Sequence, residues 1–197
     1  MKGLNIAANL GDVGGGARQH HCLVLDGGLA TQLESAGADL SGKLWSARLL
    51  QEAPDDIQRA HEAFLQAGCD IITTASYQCS IPQLVDVLQI TPALAKSLIA
   101  RSVRIARAAV HAVAGDRAVV VAASIGPYGA CLADGSEYNG HYKTTPPEEL
   151  AEWHRPRFDV LCDANPDVLA IETIPCRNEV SSSPMYCIIT VHPPNEC

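Results

Sequence analysis

Four short apolar runs recur along the chain at a nearly constant interval, and that interval limits the folds open to it. The runs are CLVLDGG (22–28), CDIITTASY (69–77), RAVVVAASIGPYG (117–129) and DVLAIETIP (167–175). They begin near Leu23, Ile71, Val119 and Val168, spacings of 48, 48 and 49 residues. None alternates polar with apolar, so each reads as a strand buried on both faces, as in a parallel sheet covered by helices. The stretches between them carry helix signals. PDDIQRAHEAFLQAG opens on Pro54 with two acids in its first turn, sets Ile57, Ala60, Phe64 and Ala67 on one face and stops at Gly68. TPALAKSLIARSVRIARAAVHAVAG starts with Thr91 as N-cap and Pro92 next, and ends at Gly115. TPPEELAEWHRPRFDVLCDA pairs Thr145 with Glu148 at capping-box spacing, and Pro156 inside it predicts a kink or a break into two helices. Strand then helix, repeated, is the α/β signature.

Composition narrows the function classes. The chain has 197 residues, 47% of them hydrophobic and 18% charged, which suits a folded core rather than a disordered tail. Its net charge of −8 argues against a nucleic-acid partner, which would meet a basic patch. No run approaches the roughly 18 apolar residues of a membrane span, and the first twenty residues lack the apolar core of a secretory signal. The cysteines, at 22, 69, 79, 131, 162, 176, 187 and 197, include no CxxC, no adjacent pair and no CxxH. Cys22, Cys69, Cys131, Cys162 and Cys187 sit in or beside apolar runs, where a free cysteine behaves as a small hydrophobe. Reduced thiols and a cytoplasmic location are therefore expected, with no metal site from these spacings.

In parallel α/β sheets and barrels, ligands bind beyond the carboxyl ends of the strands. Those ends read Asp26-Gly27-Gly28, then Thr73 to Gln78 including Thr74, Ser76 and Tyr77, then Ser124 to Gly129 including Tyr128, and finally Glu172-Thr173. Two carboxylates, Asp26 and Glu172, thus meet on one rim with hydroxyls between them. Asp26 also suits the N-cap of the following LATQLESAG helix. Glu172 interrupts an apolar run, where burial without a partner is costly, so a ligand or a cationic partner is the better reading. Tyr77 and Tyr128 fit either ligand contact or rim packing, and the glycines of GPYG read as turn geometry. The seven histidines form no triad-like or metal-like cluster, and no catalytic residue is identifiable.

LDGGLATQLE, LWSARLL, ITTASYQ, VAASIGPYGA, LADGSEYNGHY and IETIP, in this order, resemble the homocysteine S-methyltransferases over about Leu23 to Glu179. The resemblance implies a (β/α)8 TIM barrel and transfer of a methyl group from S-methylmethionine or S-adenosylmethionine to homocysteine, giving methionine. It implies zinc held by three cysteine thiolates, which would turn the substrate thiol into a nucleophile. Asp26 and Glu172 would hold the substrate ammonium, Gly27 and Gly28 would allow close backbone approach, and Tyr77 or Tyr128 would face the sulfonium. Thr74 and Ser76 complete the expected substrate-binding set.

The chain departs from the family pattern in its second half. The zinc cysteines belong to later strands, and the surroundings of Cys176, Cys187 and Cys197 match neither zinc motif, so no metal ligand is assigned. At about 48 residues per unit the chain holds about four strand–helix units, whereas a closed barrel has eight and about 250 residues. The expected organisation is a flexible glycine-rich segment (1–21), a partial barrel domain (22–179) and an atypical tail (180–197). The expectation is a truncated, inactive half-barrel whose open edge strands favour self-association. The alternative is a non-catalytic binding or dimerisation module that keeps amino-acid recognition.

Overall fold

The computed structural model describes residues 23–182, apart from 43, 133 and 143, with side chains described to residue 180. The glycine-rich segment, Cys22 and the tail from 183 onward lie outside the described residues. The sheet is parallel, in the order β1 (Ile71–Thr73), β2 (Val120–Ile125), β3 (Val168–Ile171). The first apolar run does not form the expected regular strand. It contributes one parallel bridge, Leu25 to Ile71, with the Asp26 N–H donating to Ile71 O at 3.0 Å. The Gly27-Gly28 pair follows at once and leads into a helix, which leaves that run little extended backbone to pair.

The covering helices are α1 (Leu29–Ser35), α2 (Ser46–Glu52), α3 (Pro54–Gln66), α4 (Ile81–Leu88), α5 (Pro92–Val113), the short α6 (Tyr128–Leu132) and α7 (Ser136–Asn139), α8 (Pro147–Asp163) and α9 (Arg177–Ser182). α3 and α5 end where their sequences predict. Gly68 and Gly115 take positive φ just beyond them, and Thr91 Oγ1 accepts from Leu94 N at 3.2 Å as the N-cap of α5. α4, not expected from periodicity, is capped by Ser80, whose Oγ accepts from Gln83 N. On α8 the capping box and the break into two helices do not occur. The helix starts at Pro147 with Pro146 as N-cap, so no Thr145–Glu148 capping box forms. It also runs unbroken through Pro156, which removes one N–H from the ladder of a helix anchored by buried Leu150, His154, Arg157 and Leu161.

The main core lies between the sheet and the helices. Ile57, Leu65, Ile72, Leu84, Ile99, Val121, Ile125 and Leu161 are all buried in it. A smaller cluster of Ile71, Ala122, Val168 and Ala170 occupies the opposite face. At the amino end of the sheet, acids just before two strands latch neighbouring backbone. Asp70 Oδ2 accepts from Val24 N at 2.9 Å, and Asp167 Oδ2 accepts from Val121 N at 2.7 Å. Arg107 holds Asp167 in a two-pronged pair, with both contacts at 2.7 Å.

Candidate functional site

Asp26 stands where the first run meets Gly27, and its carboxylate turns back onto β1. Oδ2 accepts from Thr73 N at 2.8 Å and both oxygens accept from Thr73 Oγ1 at 3.0 and 3.1 Å. The α1 N-cap is Gly28, so Asp26 does not cap that helix. Burial pushes the Asp26 carboxyl up to about 6, against the Thr73 hydrogen bonds, and the negative field of Glu172 adds to the rise. Glu172 follows β3 and accepts from the Ser124 hydroxyl. Burial raises its carboxyl as well, and the Ser124 bond opposes the rise. Its neighbour Thr173 has φ +57, a left-handed conformation that a β-branched residue adopts only under constraint. Two carboxylates that burial and mutual repulsion both disfavour share one rim, and a cation between them would relieve both effects.

The other expected site residues divide. Thr74 and Ser76 are buried, and their hydroxyls stitch the sheet: they bond each other at 2.6 Å, Ser76 Oγ donates to Ser124 O, and Thr74 Oγ1 accepts from Ser124 N. Tyr77 is half-buried; burial drives the phenol well above its ordinary range, a hydrogen bond with Thr173 opposes the rise, and the charges of Glu172 and Glu137 add to it. Tyr128 belongs elsewhere, packed edge-on against Tyr142 and Trp153 with centroids 5.5 and 5.1 Å away. The GPYG glycines serve close approach rather than turn geometry. A Cβ on Gly126 would lie 2.6 Å from the Tyr77 ring, and one on Gly129 would lie 2.6 Å from the Ser136 backbone. Gly27 likewise makes room for Phe64, 2.9 Å from where its Cβ would be.

A buried polar hub beneath the rim escapes the sequence reading. Glu179, on α9, accepts from Tyr128 N at 2.6 Å, from the Tyr142 hydroxyl and from His154 Nε2 at 2.6 Å. His154 Nδ1 faces Arg157 Nη2 at 2.8 Å. Because a guanidinium only donates, Nδ1 is an acceptor and the imidazole is neutral with its proton on Nε2. Burial, the dominant influence, also pushes the His154 pKa down. Arg157, 1% exposed, donates to Tyr77 O at 3.3 Å, Cys79 O at 3.2 Å and Gly126 O, and its guanidinium lies 4.5 Å from the Trp153 ring centroid. One guanidinium therefore ties the loops after β1 and β2 to α8, and one carboxylate ties α9 to α6. The sequence signal was present: His154 and Arg157 are three residues apart, one helical turn, with Leu150 and Leu161 on the same buried face.

The carboxyl rim of a parallel α/β sheet, where these two carboxylates stand, is where barrel-type folds place their ligand sites. The homocysteine S-methyltransferase family profile matches residues 23–187. Homocysteine S-methyltransferase 4 of Zea mays is 45% identical over 168 residues, covering 80% of this chain and 49% of the maize protein. YbgG, a homocysteine S-methyltransferase of Bacillus subtilis, is 44% identical over 167 residues, covering 81% of this chain and 52% of that protein. The solved structure of the homocysteine methyltransferase MmuM from Escherichia coli, in its metallated form, superposes with a TM-score of 0.75 at 40% identity, covering 83% of this chain and 58% of that one. The chain belongs to the homocysteine S-methyltransferase family, and its sheet is a part of that TIM-barrel-like fold. It spans about half the length of the curated relatives it matches.

The metal implied by the family does not fit the residues described. No three His, Cys, Asp or Glu side chains converge on a common point among the described residues. Burial pushes the Cys69 and Cys79 thiols up to about 11 and 12, the reverse of what a metal-bound thiolate needs. Cys162 is exposed, against the expectation that it packs as a small hydrophobe. No helix among the described residues is long and apolar enough to cross a membrane.

Proposed function

We propose that this chain carries the amino-acid-binding half of a homocysteine S-methyltransferase site. Asp26 and Glu172 receive the α-ammonium of homocysteine, with Thr73 and Ser124 fixing the two carboxylates. The observation that carries the reading is the pair itself: two carboxyls at the rim, both raised by burial and each held by a neighbouring hydroxyl, whose charge one shared cation would relieve. In the reaction, the homocysteine sulfur attacks the methyl carbon of a sulfonium donor such as S-methylmethionine or S-adenosylmethionine. The new S–C bond forms as the donor's C–S bond breaks, the electron pair stays on the donor sulfur, and the thiol proton is released to solvent. The described residues account for holding the amino acid and not for activating its thiol, so no step is assigned to a catalytic residue or to zinc.

A second reading is an amino-acid-binding unit without turnover, motivated by the buried Cys69 and Cys79 thiols, which burial holds in the protonated form. Calorimetry of the full chain with L-homocysteine, alongside metal analysis and an assay for methionine formation, separates the two. Saturable binding that Glu172→Gln weakens at least about tenfold, the scale of one lost ionic contact, supports the site. Binding indifferent to Glu172 removes it. Turnover with stoichiometric metal overturns the binding-only reading.

A further inference from the structure

Ser124, which supports Glu172, is itself held by more than its own strand. β1 ends at Thr73, opposite Ala122, and its last ladder bond runs from Thr74 N to Ala122 O at 3.0 Å. At Ser124, two residues further along β2, two side-chain hydroxyls replace the β1 backbone. Thr74 Oγ1 accepts from Ser124 N at 3.0 Å, Ser76 Oγ donates to Ser124 O at 2.7 Å, and the two hydroxyls lie 2.6 Å apart. On the other side β2 stays in register with β3, with Ser124 opposite Ala170.

The direction of each bond in this circuit follows from counting protons. A hydroxyl has one to give, and a carbonyl only accepts. Ser76 therefore gives its proton to Ser124 O, Thr74 donates to Ser76 Oγ, and Thr74 Oγ1 receives the Ser124 N–H. The ring leaves and returns to a single residue, head to tail, so that each bond polarises the next. Thr74, Ser76 and Ser124 are 3%, 0% and 2% exposed, which keeps bulk water from competing for these groups. With both backbone groups of Ser124 fixed, its remaining freedom is rotation of the side chain, whose hydroxyl donates to Glu172 Oε1. Any other rotamer would take that donor away from the carboxylate.

We propose that Thr74 and Ser76 are positioning residues for the rim: through the Ser124 backbone they aim the Ser124 hydroxyl at Glu172 and hold that carboxylate in the orientation that receives a cation. The proposal rests on the amino-acid-binding reading above. It gives two buried hydroxyls a part in recognition without contact with the ligand.

The Ser124 bond lowers the Glu172 carboxyl pKa against the rise from burial, which makes the link measurable in the free protein. The test is a carbon-13 NMR titration of the Glu172 side-chain carboxyl in the full chain, with Glu172→Gln identifying the resonance. The titratable groups coupled to Glu172 are Asp26, from the first run, and the Tyr77 phenol, from the loop after β1, with Glu137 of α7 acting on that phenol. Asp26→Asn in every titrated chain removes the coupled titration, and Tyr77, raised by burial, stays protonated throughout. Ser124→Ala sets the reference, a midpoint moved to higher pH. Thr74→Val and Ser76→Ala keep the Ser124 hydroxyl and are expected to move the midpoint the same way, whereas Thr74→Ser, which keeps the ring, restores the starting value. A midpoint unmoved by Ser124→Ala, or moved by it and not by the ring variants, overturns the proposal. Failure of both Thr74→Val and Ser76→Ala to fold makes the ring a requirement of the fold and overturns it too.

Calorimetry with L-homocysteine at pH 7, with Asp26 intact, separates this proposal from the reading beneath it. Thr74→Val is expected to weaken binding about three- to tenfold and to add nothing in a Glu172→Gln background. If Glu172→Gln leaves affinity unchanged while the midpoint moves in the ring variants, the rim-pair reading falls and the positioning of Glu172 stands. Affinity that Glu172→Gln weakens and Thr74→Val does not, or an equal loss from Thr74→Val with and without the Glu172 carboxylate, overturns the proposal.

Discussion

Glu172 and Glu179 are seven residues apart, both at the carboxyl end of the sheet, and they illustrate opposite treatments of a carboxylate. Glu179 is fully buried and receives a backbone N–H, a phenol and an imidazole N–H, so its charge is met by the protein itself. Glu172 accepts from one hydroxyl, is only half-buried, and stands in the field of Asp26. The first arrangement organises loops. The second leaves a deficit of positive charge at the place where this fold class binds ligands. Counting donors per carboxylate, rather than counting acids, separates a strut from a receptor.

Breaking the strut has the largest expected effect. Arg157→Leu removes three carbonyl contacts and the partner of His154 Nδ1, and a loss of about 3–5 kcal/mol is expected in urea unfolding at pH 7. A loss below about 1 kcal/mol would erase the distinction drawn between the two carboxylates. The receptor behaves in the opposite sense. The Asp26 carboxyl titrates at about 6 in the folded chain against 3.8 when unperturbed, so the folded state carries a penalty that is absent below about pH 4 and complete above about pH 6. Asp26→Asn is therefore expected to stabilise the chain at pH 7 by up to about 3 kcal/mol while homocysteine affinity falls at least about tenfold. In the wild-type chain, affinity for the ammonium tightens as pH rises through about 6 and levels off above it. Stability that drops in Asp26→Asn, or a flat affinity profile between pH 5 and 7, contradicts this assignment.

The smallest effect concerns His61, which lies in the core with neither ring nitrogen hydrogen-bonded and its pKa lowered by burial to about 4. Its folded value lies below the unfolded 6.5, so its contribution is fully present above about pH 6.5 and is lost as pH falls toward 4. His61→Leu keeps the volume and removes the unmet polar atoms. A gain of about 1–2 kcal/mol at pH 7, with a shallower acid limb in unfolding scans from pH 7 to 4.5, is the expected outcome.

Much of the sheet was legible because its signal is local and repeated. Runs without alternation, spaced near 48 residues, gave β1, β2 and β3 their places, and Gly68, Thr91 and Gly115 marked the helix ends. The first run was overread, since an apolar stretch does not reveal how soon Gly27-Gly28 turns the chain away. The positions of Asp26 and Glu172 at strand ends follow from the apolar runs that precede them. The hub was not legible, because its members, Tyr77, Gly126, His154, Arg157 and Glu179, lie up to about a hundred residues apart and meet only through the sheet. Gly126 and Gly129 failed for a related reason: a missing Cβ that admits a neighbour looks, in sequence, the same as one that permits a turn.

The latches at the other end of the sheet bear on how such a chain is assembled. Asp70 and Asp167 each precede a strand and accept from a backbone N–H of the segment before it in the sheet, Val24 in the first run and Val121 in β2. A slip of one residue in either pairing would point the side chains of the whole strand at the wrong layer and strand the acid from its N–H. Each acid thereby ties the register of its own unit to the unit before it in the chain, so alignment is specified pair by pair along the sequence.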